Sequence, residues 1–438
     1  MIGIVVSRAD AASELIGEHL LALADWRERE DPDRPDSEGG GTYYALEADE
    51  TRFELRTFEE WHLELEGVAN AFSDPSMVVF ASRHSGETGP LLTAHFTGNF
   101  GPAEFGGREG ELAAACPAAH KRLLENFHEH APEGYEVGME CTHHGPTSVG
   151  VPSLFAELGS DEAQWHDDAG ARAVARSILG LDGTVRQEKQ VVAFGGGHYV
   201  PRPERIVRET PWAVGHIGAD WCLEELGPLN PDVIEQAFEE SGADLAVIDG
   251  DRPELESVIE ELGYRVVSET WLREVGDRDL ALVERLESEL GSVDEGVRFG
   301  EREGVFVVGP LPVELIEAAR SVDPDGVRGA VERHALAFET TEGGTEVDER
   351  AAFAGGERDA LIDDLVAILE REYEVERGSG EVVVRERAFD PEKAQRLGVP
   401  EGPAFGRLAS GQAVEVEGRT IEPEAVFSER VRELSYSA

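Results

Sequence analysis

Apolar runs and segments of helical periodicity alternate along the first two thirds of the chain. Ile2–Val6 and Met77–Ala81 are continuous apolar runs, as expected of buried strands. Asp10, a residue type that caps helices, precedes apolar positions that recur every three or four residues. Further strands are predicted at Leu91–His95, Tyr135–Cys141 and Gln190–Phe194, and helices at 111–129 and 168–179. The alternation predicts an α/β domain on a parallel or mixed sheet.

Two segments interrupt this pattern. Residues 26–41 are acidic and rich in Pro and Gly, which predicts a flexible loop inserted into the first domain. Residues 291–303 are rich in Gly and charge and have no periodicity. We therefore expect a catalytic domain over residues 1–295 and a small α+β C-terminal domain over residues 296–438.

The charge of the chain is extreme. The 39 Lys and Arg residues against 91 Asp and Glu residues give a net charge of −52, and Lys121, Lys189 and Lys393 are the only lysines. This composition indicates adaptation to molar salt, where the Debye length is only about 3 Å and self-repulsion is screened. Net charge therefore does not exclude a nucleic-acid partner.

Other bulk features narrow the class of protein. No run approaches the roughly 18 apolar residues of a membrane span. The first residues lack the basic region of a signal peptide, and three cysteines cannot make a disulfide framework. We expect a cytoplasmic protein that does not associate with membranes.

Histidines mark the candidate chemistry. Four windows contain no Asp, Glu, Lys or Arg, and each contains at least one histidine. They are Thr88–Ala103, Cys141–Ala156, Val191–Pro201 and Thr210–Ala219. Polar residues among glycines at strand ends are where α/β enzymes collect their sites.

The segment Met139–Thr147 holds the strongest candidates. His143 and His144 follow a predicted strand, and Glu140 on that strand could orient a histidine or act as a base. The alternative is that these are turn histidines that only bond the backbone. His84 and His95 lie at other strand ends, and Thr97, Gly98 and Asn99 could present donors to an oxyanion.

Glycines and arginines follow the strand Gln190–Phe194. The run Gly195–Gly197 permits close approach of the backbone to a ligand beside His198. Arg202, Arg205 and Arg208 could bind phosphate or form salt bridges along a helix face. No histidine spacing matches a local zinc motif, so a metal site would require several histidines to converge in space.

Together these segments resemble a known family. "IVVSRADAAS", "SRHSGE", "LTAHFTGNFG", "ECTHHGPTSVGVPSLFAELGS", "GGGHYVPR" and "VGHI" are similar, in order, to the archaeal and plant type of D-aminoacyl-tRNA deacylase. The resemblance implies hydrolysis of the ester between a D-amino acid and tRNA, with two zinc ions per chain. It also implies a phosphorylase/hydrolase-like three-layer sandwich with a mixed sheet, related to peptidyl-tRNA hydrolases.

The site expected from the residues and the resemblance together has three parts. Catalytic candidates are Glu140, Thr142, His143 and His144; metal candidates are His84, His95, His198 and His216; substrate-binding candidates are Thr97, Gly98, Asn99, Thr147, Gly196, Gly197, Arg202 and Arg205. Without a metal, His143 or His144 would be the general base and glycine-loop amides the oxyanion donors.

Two other kinds of function stay open. One is a nucleoside phosphorylase-like enzyme or another zinc hydrolase on the same kind of sheet. The other is a noncatalytic tRNA-binding protein, which would not need four uncharged windows with histidines. We expect a monomer with a D-aminoacyl-tRNA substrate and no protein partner.

Overall fold

The first apolar run becomes a strand at the heart of a mixed sheet. Ile2–Ser7 is buried along its whole length and pairs in parallel with a strand on each side. Asp10 accepts hydrogen bonds from Ala12 N and Ser13 N and so begins the helix Ala11–Leu23. This start of the domain is as predicted.

The computed structural model describes residues 1–48, 51–225 and 229–436. It divides into two units, Met1–Asp277 and Arg278–Ala438. The helix Leu280–Leu290 thus falls in the second unit, before the boundary expected at residue 295. Its residues Leu286 and Leu290 pack in a buried cluster with Phe306 and Leu336.

The first unit has these strands: β1 (Ile2–Ser7), β2 (Arg27–Asp31), β3 (Gly41–Ala48), β4 (Thr51–Phe58), β5 (Met77–Arg83), β6 (Leu91–His95), β7 (Glu136–Met139), β8 (Ser153–Gly159), β9 (Gln190–Gly195), β10 (Ala213–Gly218), β11 (Leu245–Asp249) and β12 (Arg265–Val266). Its helices are α1 (Ala11–Leu23), α2 (Pro117–His130), α3 (Glu162–Trp165), α4 (Asp168–Leu179), α5 (Pro201–Glu209), α6 (Asp220–Glu225), α7 (Pro231–Ser241), α8 (Pro253–Glu261) and α9 (Glu269–Glu274). The predicted strand Leu91–His95 and helix 168–179 are confirmed to the residue.

The large sheet has the strand order β2-β3-β4-β1-β5-β8-β6-β7. Strands β4, β1, β5 and β8 are parallel, and β6 runs antiparallel to β8. A second, all-parallel sheet has the order β10-β9-β11-β12. The mixed α/β class is confirmed, whereas the phosphorylase/hydrolase-like three-layer sandwich stays a prediction.

The flexible loop expected at residues 26–41 is wrong for its first part. Arg27–Asp31 forms the edge strand β2, which pairs antiparallel with β3. The buried Arg56 side chain holds it, donating to Asp31 Oδ2 at 2.7 Å and to Gly39 O at 2.7 Å. Glu54 Oε1, also buried, lies 2.7 Å from Arg56 Nε. This charged strand is thus stabilised by ion pairs with residues outside it, so its own sequence does not predict it.

The helix predicted at 111–129 begins later, at Pro117. The residues before it are tied to other segments, because Ala113 N donates to Thr97 O and Ala115 N to Glu240 O. Proline is favoured in the first turn of a helix, where its missing N–H is not needed. The apolar residues before Pro117 are therefore buried in the core as part of an irregular segment.

The second unit is α+β, as expected. Its strands are β13 (Arg298–Phe299), β14 (Val307–Pro310), β15 (Ala335–Thr341), β16 (Glu346–Phe353), β17 (Glu374–Arg377), β18 (Glu381–Phe389), β19 (Val414–Val416), β20 (Arg419–Ile421) and β21 (Phe427–Ser435). Its helices are α10 (Leu280–Leu290), α11 (Val313–Arg320), α12 (Pro324–His334), α13 (Glu357–Leu369), α14 (Pro391–Arg396) and α15 (Pro403–Ala409). They accompany the antiparallel sheets β13-β15-β16-β14 and β17-β18-β21 and the hairpin β19-β20. Among the described residues, no helix of either unit has the length and apolar character to cross a bilayer.

Candidate active site

Strand ends of the first unit bring the candidate residues to one cavity. His84 directly follows β5, and His95 is the last residue of β6. Glu140 follows β7, and His198 lies in the glycine-rich loop after β9. Glu157 lies within β8, between β5 and β6. An isolated bridge pairs Glu140 with Tyr199 and links the loops that leave the two sheets.

Three histidines form what we call the histidine group: His95, His143 and His144. Their ligating atoms lie within 4.8 Å of one another. Each Nδ1 lies at hydrogen-bond distance from a backbone carbonyl: Phe96 O at 2.9 Å, Cys141 O at 2.8 Å and Gly145 O at 2.9 Å. Because a carbonyl oxygen only accepts, each Nδ1 carries a proton and each Nε2 keeps a lone pair when the ring is neutral.

This arrangement fits a metal ion. Metal-binding histidines commonly donate their second ring N–H to a carbonyl or carboxylate, which fixes tautomer and orientation. Three imidazoles with one open position form a known type of catalytic zinc site. His95 Nε2 is buried without a hydrogen-bond partner among the described residues, as expected of a ligand atom.

A second set, the carboxylate group, consists of His84, Glu140 and Glu157, all buried. His84 Nδ1 lies 3.1 Å from Glu140 Oε1 and 3.6 Å from Glu157 Oε2. On its other side, His84 Nε2 lies 3.0 Å from the hydroxyl of Tyr199. His84 is therefore held from both ring nitrogens.

The carboxylates connect the two groups. Glu157 presents Oε2 to His84 and Oε1 to His95, at 3.6 Å from each ring nitrogen. Glu140 Oε2 lies 2.7 Å from His198 Nε2 and 3.9 Å from His143 Nε2. The two groups thus form one continuous cluster.

The cluster separates charged from neutral histidines. Burial lowers the pKa of His84, but Glu140 and Glu157 outweigh it and raise the pKa to about 11. For His144, burial and the charge of His95 lower the pKa to about 4. Burial raises the pKa of Glu140, but His198 and His84 outweigh it and hold the pKa well below its usual range. Ionised carboxylates thus face a charged His84 and a neutral His144.

The cluster opens on a cavity of about 390 Å³. Such a volume falls within the range of roughly 300–1,000 Å³ typical of small-ligand sites. Its lining combines apolar side chains, Trp61, Leu63, Phe105 and Phe155, with the polar side chains of Glu140, His143, His144, Glu157 and His198. His84, Arg83, Ser82 and Ser85 complete the lining.

Comparison with known proteins places the chain in a family. Residues 71–267 match the family model described as D-aminoacyl-tRNA deacylase. A protein of Halorubrum lacusprofundi named D-aminoacyl-tRNA deacylase is 55% identical, over 98% of this chain and 96% of that protein. One of Natronomonas pharaonis with the same name is 51% identical, over 100% of both chains. The chain belongs to the D-aminoacyl-tRNA deacylase family.

A solved structure is also similar. The crystal structure of a conserved protein of unknown function superimposes with a TM-score of 0.54 at 29% identity. The match covers 62% of this chain and 96% of that one. The matches to the Halorubrum and Natronomonas proteins, by contrast, cover both units of this chain.

Thr142 and His216 are buried residues that do not line the cavity. The hydroxyl of Thr142 lies 3.0 Å from His216 Nδ1, and His216 Nε2 lies 2.8 Å from Ala113 O. Both ring nitrogens of His216 are therefore taken, and both side chains are fully buried outside the cavity lining. The structure does not bring His216 to the other metal candidates, and Thr142 braces the strand end.

The segment Thr97–Asn99 also differs from expectation. Thr97 Oγ1 lies 3.0 Å from Ser153 Oγ, and the N–H of Gly98 donates to His144 O at 2.7 Å. The N–H of Asn99 donates to Glu111 O. These donors are occupied within the protein, so an oxyanion cannot use them without displacing a partner.

Asn99 and Thr147 instead position the loop that carries Phe105. The amide of Asn99 donates to Gly106 O at 2.9 Å and to Arg108 O at 3.2 Å. Thr147 Oγ1 accepts from Arg108 N at 3.1 Å. Asn99 also lines a small cavity of about 50 Å³ that shares Phe105 and His143 with the main one. Both residues therefore affect the cavity by holding the loop that positions Phe105.

The glycine loop and the arginines after it have different roles. Gly195 has a φ of 93°, and an added Cβ would lie 2.2 Å from Asp249 O. Gly196 also has positive φ, while a Cβ on Gly197 would meet no atom within 4 Å. The glycines let the chain turn so that His198 reaches Glu140; neither Gly196 nor Gly197 lines the cavity.

Arg202 and Arg205, expected to bind phosphate, are paired with carboxylates in the structure. Arg205 donates through Nε and Nη2 to both oxygens of Glu269, at 2.9 and 2.5 Å. Arg202 donates to Ile248 O at 2.8 Å and pairs with Asp249 and Glu269. Their guanidinium groups are occupied by carboxylates, which is the salt-bridge alternative that the sequence left open.

Sequence reasoning missed Glu157, Arg83 and the apolar residues of the cavity lining. Glu157 lies in the segment "SLFAELGS", where one carboxylate interrupts an apolar run. A buried charge is costly unless it is paired, so such an interruption is itself a signal of a site.

Proposed function

We propose that this chain hydrolyses the ester bond of D-aminoacyl-tRNA in the cavity walled by the histidine and carboxylate groups, with the help of zinc. The observation that carries the proposal is the cluster of His95, His143 and His144 next to Glu140 and Glu157, beside one cavity. Membership of the D-aminoacyl-tRNA deacylase family supports the choice of substrate.

The histidine group would hold one zinc ion through His95, His143 and His144. His143 and His144 would then serve as ligands in place of the general-base role expected from the sequence. Glu140 and Glu157 would supply carboxylate oxygens to the second of the two ions that the resemblance implies, and His84 would join them as a ligand on losing its proton. Zinc bound there would lower the pKa of a coordinated water and polarise the ester carbonyl.

His198 is the best-placed general base among the described residues of the cluster. Its Nε2–H donates to Glu140 at 2.7 Å, so its basic nitrogen is Nδ1, which lies 3.8 Å from Cys141 Sγ. Its side chain is 32% exposed, against 4% for His84, so it can exchange a proton with water. Glu140 would orient the ring and stabilise the imidazolium that forms.

The apolar part of the cavity lining suggests how the D configuration is selected. With the ester carbonyl beside the histidine and carboxylate groups, the side chain of a D-residue would pack against Trp61, Leu63 and Phe105. The mirror-image L-residue, holding its carbonyl in the same place, would direct its side chain elsewhere. Burying apolar surface contributes about 25 cal/mol per Å², so the misplaced side chain loses affinity.

A deacylation assay tests the proposal. The lifetime of D-Tyr-tRNA is measured in molar KCl with the protein, with the protein and a chelator, and after zinc is restored. We expect rapid ester hydrolysis, loss with the chelator, recovery with zinc, and slow turnover of L-Tyr-tRNA.

Other outcomes would favour the alternatives. Cleavage of nucleosides that requires phosphate would indicate a phosphorylase-like enzyme. An unchanged ester lifetime with tight tRNA binding would indicate a noncatalytic tRNA-binding protein. Hydrolysis that a chelator does not affect would support D-aminoacyl-tRNA as the substrate and would contradict the role of zinc.

A further inference from the structure

Arg83 is clamped between two tryptophans at the cavity. Its guanidinium carbon lies 4.4 Å from the ring centroid of Trp61 and 4.5 Å from that of Trp165. Trp165 is fixed in turn, because its indole N–H donates to His84 O at 2.8 Å. The backbone N–H of Arg83 donates to the buried Asp10 at 2.9 Å. The side chain is thus held by two aromatic rings, and its backbone by Asp10.

The charge of Arg83 has no carboxylate partner. Among the described residues, no Asp or Glu oxygen lies within ion-pairing distance of its guanidinium, and its side-chain nitrogens make no hydrogen bond. This contrasts with Arg202 and Arg205, which share Glu269. Arg83 thus brings to the cavity a positive charge that no carboxylate contacts directly.

The N–H donors of this guanidinium are available. Its contacts are with aromatic rings, and among the described residues its side-chain nitrogens have no hydrogen-bond acceptor. A planar fork of this kind matches the oxygens of a phosphate in a bidentate manner. Because the rotamer is already fixed, little conformational freedom is lost when an anion binds.

Direct contact matters more for this protein than for most. At about 1 M salt the Debye length is about 3 Å, so distant charges neither attract nor repel a polyanion appreciably. Only groups that touch a phosphate contribute to its recognition. Arg83 is the only arginine that lines the cavity, and no lysine does so among the described residues.

We propose that Arg83 binds the 5′-phosphate of the terminal nucleotide whose ribose carries the aminoacyl ester. The assignment rests on the proposed function, since it takes the substrate to be an RNA ester. Arg83 and His84 are consecutive, so the phosphate at Arg83 and the ester beside the cluster would lie on opposite sides of one ribose. This places a phosphate contact at the end of β5.

The experiment compares two esters that differ in this phosphate. D-Tyr-tRNA has it, whereas 3′-O-(D-tyrosyl)adenosine does not. Arg83→Gln removes the fork, Arg83→Lys keeps the charge without the fork, and Arg172→Gln removes an exposed arginine of α4 as the matched control. Rates are measured in molar KCl with zinc present.

We expect Arg83→Gln to lower kcat/KM for D-Tyr-tRNA by about 10- to 100-fold, mainly through KM, as for a lost charged hydrogen bond. The rate of Arg83→Gln with tyrosyl-adenosine should change less than about twofold. For D-Tyr-tRNA, kcat/KM of Arg83→Lys should lie between those of the wild type and Arg83→Gln, and that of Arg172→Gln should equal the wild-type value. Below molar salt, the salt dependence of KM for the tRNA should weaken in Arg83→Gln, by a slope of about 0.7 for one single-strand phosphate.

Several results would overturn this assignment. Equal losses with both esters would mean that Arg83 acts on the reacting end or on the fold. Unchanged rates with both would mean that the clamp is only structural. Loss of phosphate-dependent nucleoside cleavage would identify inorganic phosphate as the ligand. Failure of the wild type with both esters would instead remove the proposed function, which keeps the two proposals distinguishable.

Discussion

Glu140 Oε2 accepts a hydrogen bond from His198 Nε2 at 2.7 Å, across 58 residues of sequence. Glu140 follows β7 of the mixed sheet, and His198 follows β9 of the parallel sheet. The contact therefore joins the two sheets of the first unit at the cavity. A change in either residue is expected to affect the geometry of both loops.

Replacing Glu140 by Gln should slow deacylation by about 100-fold or more, because Glu140 orients the proposed general base His198 and a general base usually contributes that much. The amide cannot stabilise an imidazolium at His198, and it removes the charge that raises the pKa of His84. The measurement is kcat for D-Tyr-tRNA together with zinc content, which separates loss of the base from loss of an ion. Glu162→Gln, on the exposed start of α3, is the control. A Glu140→Gln protein with the wild-type rate would contradict this role.

Replacing His143 by Ala should remove zinc from the histidine group. Changing residues that only support a metal ligand costs about 10- to 100-fold in metal affinity, so loss of a ligand should cost at least that much. Zinc per chain, measured by atomic emission after dialysis, should fall together with the deacylation rate. His128→Asn, an exposed histidine of α2, should retain both. Full zinc content in the His143→Ala protein would show that the group holds no ion.

Stability should fall on mild acidification because of buried histidines away from the cavity. Burial lowers the pKa of His120 to about 4, and burial, opposed by the carbonyl of Ala113, lowers that of His216 to about 4. In the unfolded chain both titrate near 6.5, so between about pH 4 and 6.5 the unfolded state binds more protons. The free energy of unfolding should therefore rise with pH across this window, by up to about 1.4 kcal/mol per pH unit for each histidine.

Urea unfolding in molar KCl at a series of pH values measures this slope. His216→Gln, whose amide can replace both hydrogen bonds without titrating, should reduce the slope by the contribution of one histidine. The exposed His128→Asn should leave it unchanged. An identical slope in His216→Gln and wild type would place the acid sensitivity elsewhere.

Replacing Arg56 by Ala should destabilise the first unit by about 3–5 kcal/mol, since Glu54 would be left buried without its partner. The midpoint of urea unfolding at constant salt measures the effect, and hydrogen exchange over residues 27–39 should accelerate. Arg29→Ala, exposed on β2, should change stability by less than about 0.5 kcal/mol. Equal stabilities of the two variants would mean that the network does not hold the edge strand.

The sequence predicts much of this fold because local patterns decide it. Asp10 caps α1 as its residue type suggests, and α4 has the predicted bounds. Strand β2 could not be predicted, because Arg56, 25 residues later than Asp31, is what holds it. Pairing between distant segments leaves no periodicity in either one.

The candidate site follows the same division. The uncharged windows located His95, His143, His144 and His198, all of which reach the cluster or its cavity. His216 lies in a similar window yet faces Thr142, because side-chain direction depends on tertiary pairing. The window Cys141–Ala156 is bounded by Glu140 and Glu157, so its limits, as well as its contents, belong to the site.

The position of β2 at the sheet edge affects how the protein avoids aggregation in concentrated salt. Its residues Arg27–Asp31 form an outer edge of the large sheet, where unpaired backbone groups could add a strand from another molecule. Salt of this strength screens repulsion between approaching edges, so like charge alone would not keep molecules apart. A new strand would instead have to strip water from exposed carboxylates and guanidinium groups, which is costly at any salt concentration. The edge thus resists aggregation through its hydration.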